Sequence, residues 1–458
     1  QSLRPFGGVA ALGIKQGSQF ASKDSLKSQK PGQFLAGEFN SSVLIRRIGA
    51  LPGTADYRGN YAHCEDALVR FPLGVLWFDD TLAHFKRSPQ PLFKNGVMVS
   101  RPKDWHALRW KGGGSADYPL MRPVLSDIYT GRIFDESEEA ALRKSLPPLD
   151  LKTPQQSYYH APDQKTALLP NPPDPILAGE RVNPMTGLKE PRIFPKTYGC
   201  DGGVDYGMFY TLRSGTAAFY DKTLESGTVF ISGPRSGCTN SIIPSGGLLN
   251  VPYFYEGCTC SYPLPTALSM VAMPETHEQW SSWGDDAVKP ASIERIGLNF
   301  GAPGDRKTRD GTLWLDYPSV GGPSPQIKVV TKPENPTFHY RHSNWMKGGD
   351  AWPWVAASAV EGLEELTLHD LKPGNYTVKL YFAELDGVAA GDRVQSISLQ
   401  GNAALTDFDV RSTARATMTG IVEESGDVII DGTLTINFQS IRGKSLISGI
   451  EIIRRRDR

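Results

Sequence analysis

Residues 198–262 read YGCDGGVDYGMFYTLRSGTAAFYDKTLESGTVFISGPRSGCTNSIIPSGGLLNVPYFYEGCTCSY. Short runs of aromatic and β-branched residues alternate with Gly-rich turns, which is typical of a strand meander. Within it, residues 217–221 (AAFYD) and 226–230 (SGTVF) form a strand, a polar turn and a second strand. Repeated units of this kind build β-propeller blades, so the stretch predicts an all-β region of that type.

The same stretch carries four of the five cysteines: Cys200, Cys238, Cys258 and Cys260. Cys258 and Cys260 are poorly placed to bridge each other, so we expect each to pair with Cys200 or Cys238, which leaves two connectivities. Free thiols and a metal site are the alternatives. The spacing matches neither structural zinc nor covalent haem, and we predict no metal. Cys64 is left over as a lone thiol.

Composition favours a soluble, turn-rich β protein. The 458 residues include 47 Gly and 35 Pro, and this length can hold two or three domains. No apolar run approaches the roughly 20 residues of a membrane span. Lys+Arg and Asp+Glu are equal at 49 each, which gives no reason to expect a nucleic-acid partner.

The chain begins at Gln1 without a charged-then-apolar leader. We expect a mature chain whose signal has been removed, with an artificial start as the alternative. Disulfides form in oxidising compartments, so the cysteines favour a secreted, periplasmic or cell-envelope location.

The first part of the chain divides by composition. Residues 1–41 read as an extended N-terminal arm, and residues 42–273 as the propeller region. The propeller region contains a Pro-rich insertion at 146–196, because proline blocks regular strand ladders. A helix is predicted at 136–144, with Ser137 as its cap.

Residues 274–292 are polar and read as a linker, and residues 293–458 form a second all-β unit. Several short alternating strands at about ten-residue spacing predict a β-sandwich there. Ile450 and Ile452 alternate with Glu451 and are expected to face its core. The clearest predicted strands are residues 376–384, 393–399, 427–431, 434–438 and 447–453.

Residues 96–272 resemble the quinoprotein-like (PQQ-like) β-propellers of secreted bacterial proteins. Residues 127–134 (DIYTGRIF) are similar to that family's D-x-x-T-G-x-x-W docking turn, and residues 219–221 (FYD) match its blade unit. Phe134 or Phe194 stands where the family has its docking tryptophan.

The propeller is expected to be partial or degenerate. A blade takes about 40–50 residues, so the region has room for roughly four blades. An open ring exposes strand edges that invite pairing. We therefore predict that the arm, the sandwich or another polypeptide covers the edge, with a small self-closed propeller as the alternative.

Residues 293–453 resemble the malectin-like jelly-roll β-sandwich. The motifs that carry this resemblance are residues 296–301 (IGLNFG), 376–384 (YTVKLYFAE), 434–438 (LTINF) and 447–452 (ISGIEI). Malectin-like domains bind carbohydrate or act as interaction modules, so the resemblance implies binding and does not imply catalysis.

Three tryptophans in the second unit suggest where a sugar could bind. Trp345, Trp352 and Trp354 are close together in sequence, and Tyr381 lies in the malectin-like strand. Sugar rings stack on exposed aromatic faces, so we predict these four residues as a carbohydrate site. The alternative is that Trp352 or Trp354 fills the sandwich core. Glu384 is expected to support the fold.

The sequence favours a non-catalytic binding or scaffold protein that engages a glycan or protein partner. One alternative is an enzyme, either a quinone-dependent dehydrogenase or a polysaccharide-degrading protein. Another is an accessory subunit of an electron-transfer or surface assembly. Pyrroloquinoline quinone (PQQ) is the cofactor that a quinoprotein would hold, but no motif identifies a site for it, so we predict no cofactor.

Overall fold

A computed structural model describes residues 5–6, 8–13, 34–39, 42–59, 62–79, 91–100, 122–146, 176–194, 203–214, 216–231, 242–252, 266–284 and 288–455. These residues lie almost entirely in β-strands and turns, which confirms the predicted all-β class. None of the helices in these ranges is both long and apolar enough to cross a bilayer.

The chain divides into two compact units. The first contains Gln1–Pro173, Lys196–Phe219 and Phe230–Ala272, and the second contains Asp174–Pro195, Tyr220–Val229 and Met273–Arg458. The two earlier segments of the second unit were predicted to belong to the propeller region.

The strands up to residue 272 are short. They are β1 (Val9–Gly13), β2 (Phe34–Phe39), β3 (Ser42–Arg47), β4 (Leu73–Asp79), β5 (Leu92–Lys94), β6 (Val97–Ser100), β7 (Val124–Asp127), β8 (Ile176–Val182), β9 (Lys189–Phe194), β10 (Val204–Asp205), β11 (Phe209–Ser214), β12 (Thr216–Asp221), β13 (Val229–Ile231), β14 (Ile243–Ser245), β15 (Leu248–Val251) and β16 (Ala267–Ala272).

These strands form small sheets with the orders β1-β3-β2, β5-β6-β7, β8-β9, β10-β11-β12-β13 and β14-β15-β16-β4. Two strands of the predicted arm, β1 and β2, therefore pair with β3. The early strand β4 pairs antiparallel with the late strand β16, which joins distant parts of the chain in one sheet. Small antiparallel meanders are what a propeller prediction requires, and the ring itself stays a prediction.

A helix, α1 (Glu136–Arg143), follows β7 as predicted, but its cap differs. Asp135 is the N-cap, because its carboxylate accepts hydrogen bonds from the backbone N–H groups of Ser137 and Glu138. The Glu138 carboxylate accepts a hydrogen bond from the Asp135 N–H, which completes a capping box.

A tryptophan docks on the turn at residues 127–131, although the local motif lacks one. Trp77 of β4 donates from Nε1 to the Ile128 carbonyl at 2.7 Å. Gly131 has φ +73°, and a Cβ atom there would lie 2.6 Å from the Trp77 ring. Trp77 therefore holds β4 against this turn. Within the motif at residues 127–134, Phe134 stands at the position of the docking tryptophan.

The second unit continues with strands and short helices. The strands are β17 (Arg295–Phe300), β18 (Arg306–Lys307), β19 (Leu313–Tyr317), β20 (Val329–Lys332), β21 (Thr337–Tyr340), β22 (Gly348–Gly349), β23 (Ser358–Glu361), β24 (Glu365–Leu368), β25 (Gly374–Phe382), β26 (Val394–Leu399), β27 (Asn402–Phe408), β28 (Thr419–Ile430), β29 (Leu434–Arg442), β30 (Leu446–Ile447) and β31 (Gly449–Arg454). The helices are a 3₁₀ turn (Ser343–Trp345), α2 (Pro353–Ala356) and α3 (Val410–Ala414).

Two large sheets form a sandwich, with the orders β18-β19-β17-β31-β25-β28-β22 and β20-β24-β29-β26-β27. Their shared core takes alternate residues from each strand, such as Leu380 from β25 and Ile436 from β29. Ile450 and Ile452 are both fully buried in this core, as predicted. Each predicted sandwich strand overlaps an observed one, but the strand predicted at 427–431 is the end of the longer β28, and the strand predicted at 447–453 is divided between β30 and β31.

The predicted linker at 274–292 instead packs into the second unit. Trp283 is 2% exposed and belongs to the sandwich core cluster. Its neighbours Ser281 and Ser282 form β-bridges to Asp305 and Thr228. The linker is predicted from polar composition. Composition alone does not show whether a tryptophan within the segment is buried.

The β8–β9 hairpin also joins the second unit. Met185, at its turn, is fully buried in the sandwich core, and its carbonyl accepts the backbone N–H groups of Glu294 and Arg295 at 2.7 and 3.1 Å. The Pro-rich insertion predicted at 146–196 thus contains a β-hairpin whose turn contributes to the core of the sandwich.

Candidate functional site

The outer face of the seven-stranded sheet carries large side chains. Trp314 of β19, Tyr381 of β25 and Glu451 of β31 alternate with the inward residues of the same strands. Trp314 lies over Gly297 of β17, where a Cβ atom would be 2.3 Å from the indole. Glycine at position 297 therefore makes room for a second, aromatic core outside the sandwich.

Trp354 is the centre of this aromatic cluster. Its ring is stacked on Trp352, with centroids 5.7 Å apart at 21°, and it meets Trp314 and Trp280 edge-on at 5.8 and 5.9 Å. Trp314 in turn meets Tyr381 at 5.0 Å. Such pairs stabilise beyond the burial of their area, so the cluster is a rigid platform.

Two short elements carry the tryptophans of this cluster and its rim. Pro353 occupies the first position of α2, where its missing N–H costs nothing, and Trp352 precedes it as the N-cap. The 3₁₀ turn begins after His342, whose ring nitrogen accepts the Asn344 N–H at 3.1 Å. That turn ends at Trp345, which is 62% exposed.

The structure separates the four predicted carbohydrate residues. Trp345 is exposed and Trp352 is half-buried, whereas Trp354 is fully buried and Tyr381 is 4% exposed. Two of the four are therefore buried in the aromatic cluster outside the sandwich. The alternative prediction had placed Trp352 or Trp354 in the sandwich core itself. A buried indole offers no face to a sugar ring, so the candidate surface is reduced to Trp345 and Trp352.

A buried arginine fixes the segment that lines this cluster. The Arg306 guanidinium lies 4.5 Å from the Trp354 ring centroid and donates to the carbonyls of Glu275, His277 and Gln279. Burial lowers the pKa of Arg306 to about 9, and the side chain still carries its charge at neutral pH. Trp354 Nε1 adds a bond to the Glu275 carbonyl at 3.2 Å.

Glu278 organises the polar rim beside Trp345. Its carboxylate accepts Trp280 Nε1 at 3.2 Å, the Ser343 N–H at 2.7 Å and the Tyr340 hydroxyl. Burial acts to raise the pKa of Glu278, but the bonds from Tyr340 and Ser343 outweigh it and hold the pKa below its usual range. Glu278 is thus a fixed anion that positions the 3₁₀ turn.

Tyr381 is committed to an internal hydrogen bond. Its hydroxyl donates to Glu451 at 3.0 Å, and Glu451 also accepts from Thr312 and pairs with Arg295 at 3.4 Å. Burial, and then the charge of Glu451, raises the pKa of Tyr381. The phenol therefore remains protonated and serves the outer core.

Glu384 supports the fold, as expected. It is buried and accepts Arg393 Nε at 2.9 Å, while Arg393 Nη1 donates to Glu361 at 3.0 Å and to the Lys444 carbonyl at 2.8 Å. Burial raises the pKa of Glu384 despite the nearby arginine. This network forms one wall of an open cavity of about 450 Å³.

The first unit holds a second cavity, of about 770 Å³, which sequence reasoning did not single out. Tyr57, His63, Cys64 and Lys94 are among its lining residues, and Lys94 pairs with Asp56 at 3.3 Å. Cys64 is a buried free thiol, and burial raises its pKa to about 12. The neutral thiol is a poor nucleophile.

The remaining sequence predictions fall partly outside these ranges. Cys200, Cys238, Cys258 and Cys260 lie outside the described residues, so their disulfides stay a prediction. Within the described residues, no group of three or more His, Cys, Asp and Glu side chains is placed to hold a metal ion.

Comparison with protein families supports the second resemblance. The malectin domain matches residues 367–454, which run from within β24 to the end of β31. The predicted malectin-like domain is confirmed over this part of the sandwich. No curated protein matches the chain.

Among solved structures, the chain is similar to a β-glucuronidase of Bacteroides uniformis, with 13% identity and a TM-score of 0.28 over 35% of this chain and 18% of the glucuronidase. It is also similar to the ANXUR2 extracellular domain from Arabidopsis thaliana, with 13% identity and a TM-score of 0.29 over 41% of this chain and 57% of that one. The plant receptor-like kinase FER gives 16% identity and a TM-score of 0.26, over 42% and 57%. The chain therefore spans less than two thirds of each of these proteins.

Proposed function

We propose that this chain is a non-catalytic binding protein of the cell envelope or periplasm, and that its malectin-like domain binds a glycan at the surface formed by Trp345 and Trp352. The observation that carries the proposal is the exposure of Trp345. Trp354 and Tyr381 are buried in the aromatic cluster, whereas Trp345, on the 3₁₀ turn that contacts α2, is 62% exposed. A large exposed indole on a rigid base is suited to stack on the C–H face of a sugar ring.

The polar groups of the rim complement that stacking surface. Tyr340 and His342 lie within the same loop region as the 3₁₀ turn, and Glu278 fixes both this turn and the Tyr340 hydroxyl. Sugar hydroxyls need such donors and acceptors around an aromatic face. Because three hydrogen bonds hold the Glu278 carboxylate, this group is suited to positioning rather than to proton transfer.

The proposal is tested with the full chain on a glycan array, followed by calorimetric titration of the best ligand. Trp345→Ala should lower affinity by about tenfold or more without changing the melting temperature, because the Trp345 side chain is largely exposed. Trp352→Ala should weaken binding and also lower stability, since it stacks on Trp354. Ile429→Ala is the matched control, because Ile429 is a 67% exposed apolar residue of β28 in the same unit and belongs to neither proposed surface.

A protein ligand is the second outcome that this design resolves. If no glycan binds but a partner co-purifies and is lost on Trp345→Ala, the same surface serves protein recognition. Retained glycan affinity in Trp345→Ala would contradict the proposed site.

For the first unit we propose a scaffold role in which another polypeptide or the N-terminal arm covers a sheet edge. β4 is the terminal strand of its sheet, and Val75 and Phe78 of β4 are exposed. Exposed apolar edge strands invite pairing with a further strand. Native mass spectrometry of the protein from its source would reveal a stoichiometric partner. Detection of the monomer alone would contradict the proposal that another polypeptide covers this edge.

A further inference from the structure

Two buried carboxylates meet at the outer edge of the seven-stranded sheet. Asp305, just before β18, is 1% exposed, and Asp316 of β19 is 4% exposed. The backbone N–H of Asp316 donates to Asp305 Oδ1 at 3.3 Å. Both residues belong to the second unit, and Asp316 alternates along β19 with Leu313 and Leu315, which face the sandwich core.

Asp305 connects three segments of the second unit. Its carboxylate accepts the Trp283 N–H at 3.1 Å and the Ser324 hydroxyl at 2.8 Å, in addition to the Asp316 N–H. Its backbone exchanges two hydrogen bonds with Ser281, at 2.8 and 2.9 Å. The Asp305 carboxylate is therefore held in one place.

Asp316 has one satisfied oxygen and one unsatisfied oxygen. Oδ2 accepts the N–H groups of Val320 and Gly321 at 2.7 and 2.8 Å. Oδ1 is enclosed and has no hydrogen-bond partner among the described residues. Burial of a carboxylate oxygen without a hydrogen-bond partner costs free energy, so a further ligand at this oxygen would stabilise the fold.

Among the described residues, no lysine, arginine or histidine forms an ion pair with either carboxylate. The enclosed Oδ1 of Asp316 therefore has no positively charged partner within the described part of the chain.

We propose that Asp305 and Asp316 anchor a site for a divalent cation of the size of calcium. The site would offer only oxygen ligands, namely the two carboxylates, with the Ser324 hydroxyl, carbonyl groups or water completing the shell. Oxygen-only sets favour hard cations, and irregular loops suit calcium better than magnesium, which demands near-octahedral geometry. The cation would tie the segment at Trp283 to the loop after β19.

The test uses the full chain, stripped with a chelator and dialysed at pH 7.5. Calcium binding is measured by calorimetric titration, and the melting temperature is measured with calcium, with magnesium and with the chelator alone. Asp316→Asn removes the charge of the unsatisfied oxygen with little change in shape. Asp407→Asn is the control, because Asp407 is an exposed aspartate of β27.

We expect calcium to raise the melting temperature in a saturable way, and Asp316→Asn to weaken calcium affinity by at least about tenfold. Asp407→Asn should bind as the wild type does. If Asp316→Asn does not fold, Asp305→Asn is used in its place, and the wild-type titration still decides whether calcium binds. Absence of calcium binding, or equal affinity in the Asn variant, would overturn the site. If the melting temperature is higher in Asp316→Asn and does not change when calcium is added, Asp305 and Asp316 share a proton instead of a cation.

Discussion

The indole of Trp77 occupies the position where a side chain on Gly131 would lie, 2.6 Å from the place of its Cβ atom. Trp77 and Gly131 are distant in sequence, and this contact joins β4 to the turn after β7. The Thr186-Gly187 turn has the same pattern and nearly the same backbone, with φ +71° against +73°, but no atom within 4 Å of a Cβ.

This pair of glycines allows a matched test. Gly131→Ala should destabilise the first unit by about 1–3 kcal/mol more than Gly187→Ala destabilises the second. Both variants carry the strain of a positive φ, roughly 1–2 kcal/mol, and only Gly131→Ala also displaces the Trp77 ring. Calorimetric melting measures both effects, and equal losses would contradict the docking contact.

The buried and exposed tryptophans of the cluster should respond very differently to truncation. Trp354→Ala should cost about 3–5 kcal/mol in the free energy of unfolding, because a fully buried indole leaves a cavity among Trp280, Trp314 and Trp352. Trp345→Ala should change stability by less than about 0.5 kcal/mol. Denaturant unfolding of the two variants side by side checks this, and a stable Trp354→Ala variant would refute the cluster's structural role.

Sequence patterns predicted much of this architecture. Alternation at residues 376–384 predicted β25 to within two residues at each end, because one face of that strand is buried against the sandwich core. The helix at 136–143 was predicted from its composition, but the cap was assigned to Ser137 because both Asp135 and Ser137 are good capping residues.

Other features leave no local signal. Trp77 docks on a turn that lies far along the chain, so the motif around Gly131 could not reveal it. Arg306 binds the segment at 275–279 through backbone carbonyls. Every residue has such a carbonyl, so the sequence of the segment does not reveal the contact. Trp345 and Trp354 look alike in sequence, and only the packing of α2 decides which one is buried.

Removal of the Arg306 side chain should release the segment at 275–279. Arg306→Met keeps apolar volume against Trp354 but removes the donor to the carbonyls of His277 and Gln279, at about 1–3 kcal/mol each. We expect faster hydrogen exchange at residues 275–280 and a loss of about 2–5 kcal/mol in stability. Arg309→Met, at an exposed neighbouring position, is the control. Unchanged exchange in Arg306→Met would show that other contacts hold the segment.

The stability of the second unit should depend on the protonation of Asp305. Its pKa in the folded state is about 7, above the ordinary value of 3.8, so the folded state binds this proton more tightly. The contribution is complete below about pH 3.8 and is lost as pH rises through 7, by the order of a few kcal/mol.

Comparison of Asp305→Asn with the wild type, in a chelator, isolates this effect from other titrations. The asparagine variant should gain stability relative to the wild type between pH 5 and pH 8, over the window that the pKa of about 7 sets. Asp407→Asn should show no such trend. A difference that stays constant across this range would contradict the raised pKa.

A fragment that begins at residue 273 should fold more stably than one that begins at residue 290. The longer fragment retains Trp283, which is buried in the sandwich core, and the carbonyls that Arg306 binds. Loss of one buried tryptophan alone costs about 3–5 kcal/mol. Thermal melting of both fragments measures the difference, and Trp283→Ala in the longer fragment serves as the control. Equal melting temperatures would restore the linker interpretation.

Met185 can be buried only after strands that come later in the chain have been synthesised. The ribosome releases the β8–β9 hairpin about a hundred residues before the strand that shelters Met185, which takes about 5–20 s at ordinary elongation rates. During that interval the methionine at the hairpin tip has no core to enter, because that core is built from β17 and later strands. A chain that ends before β17 would therefore lack the strands that bury this side chain.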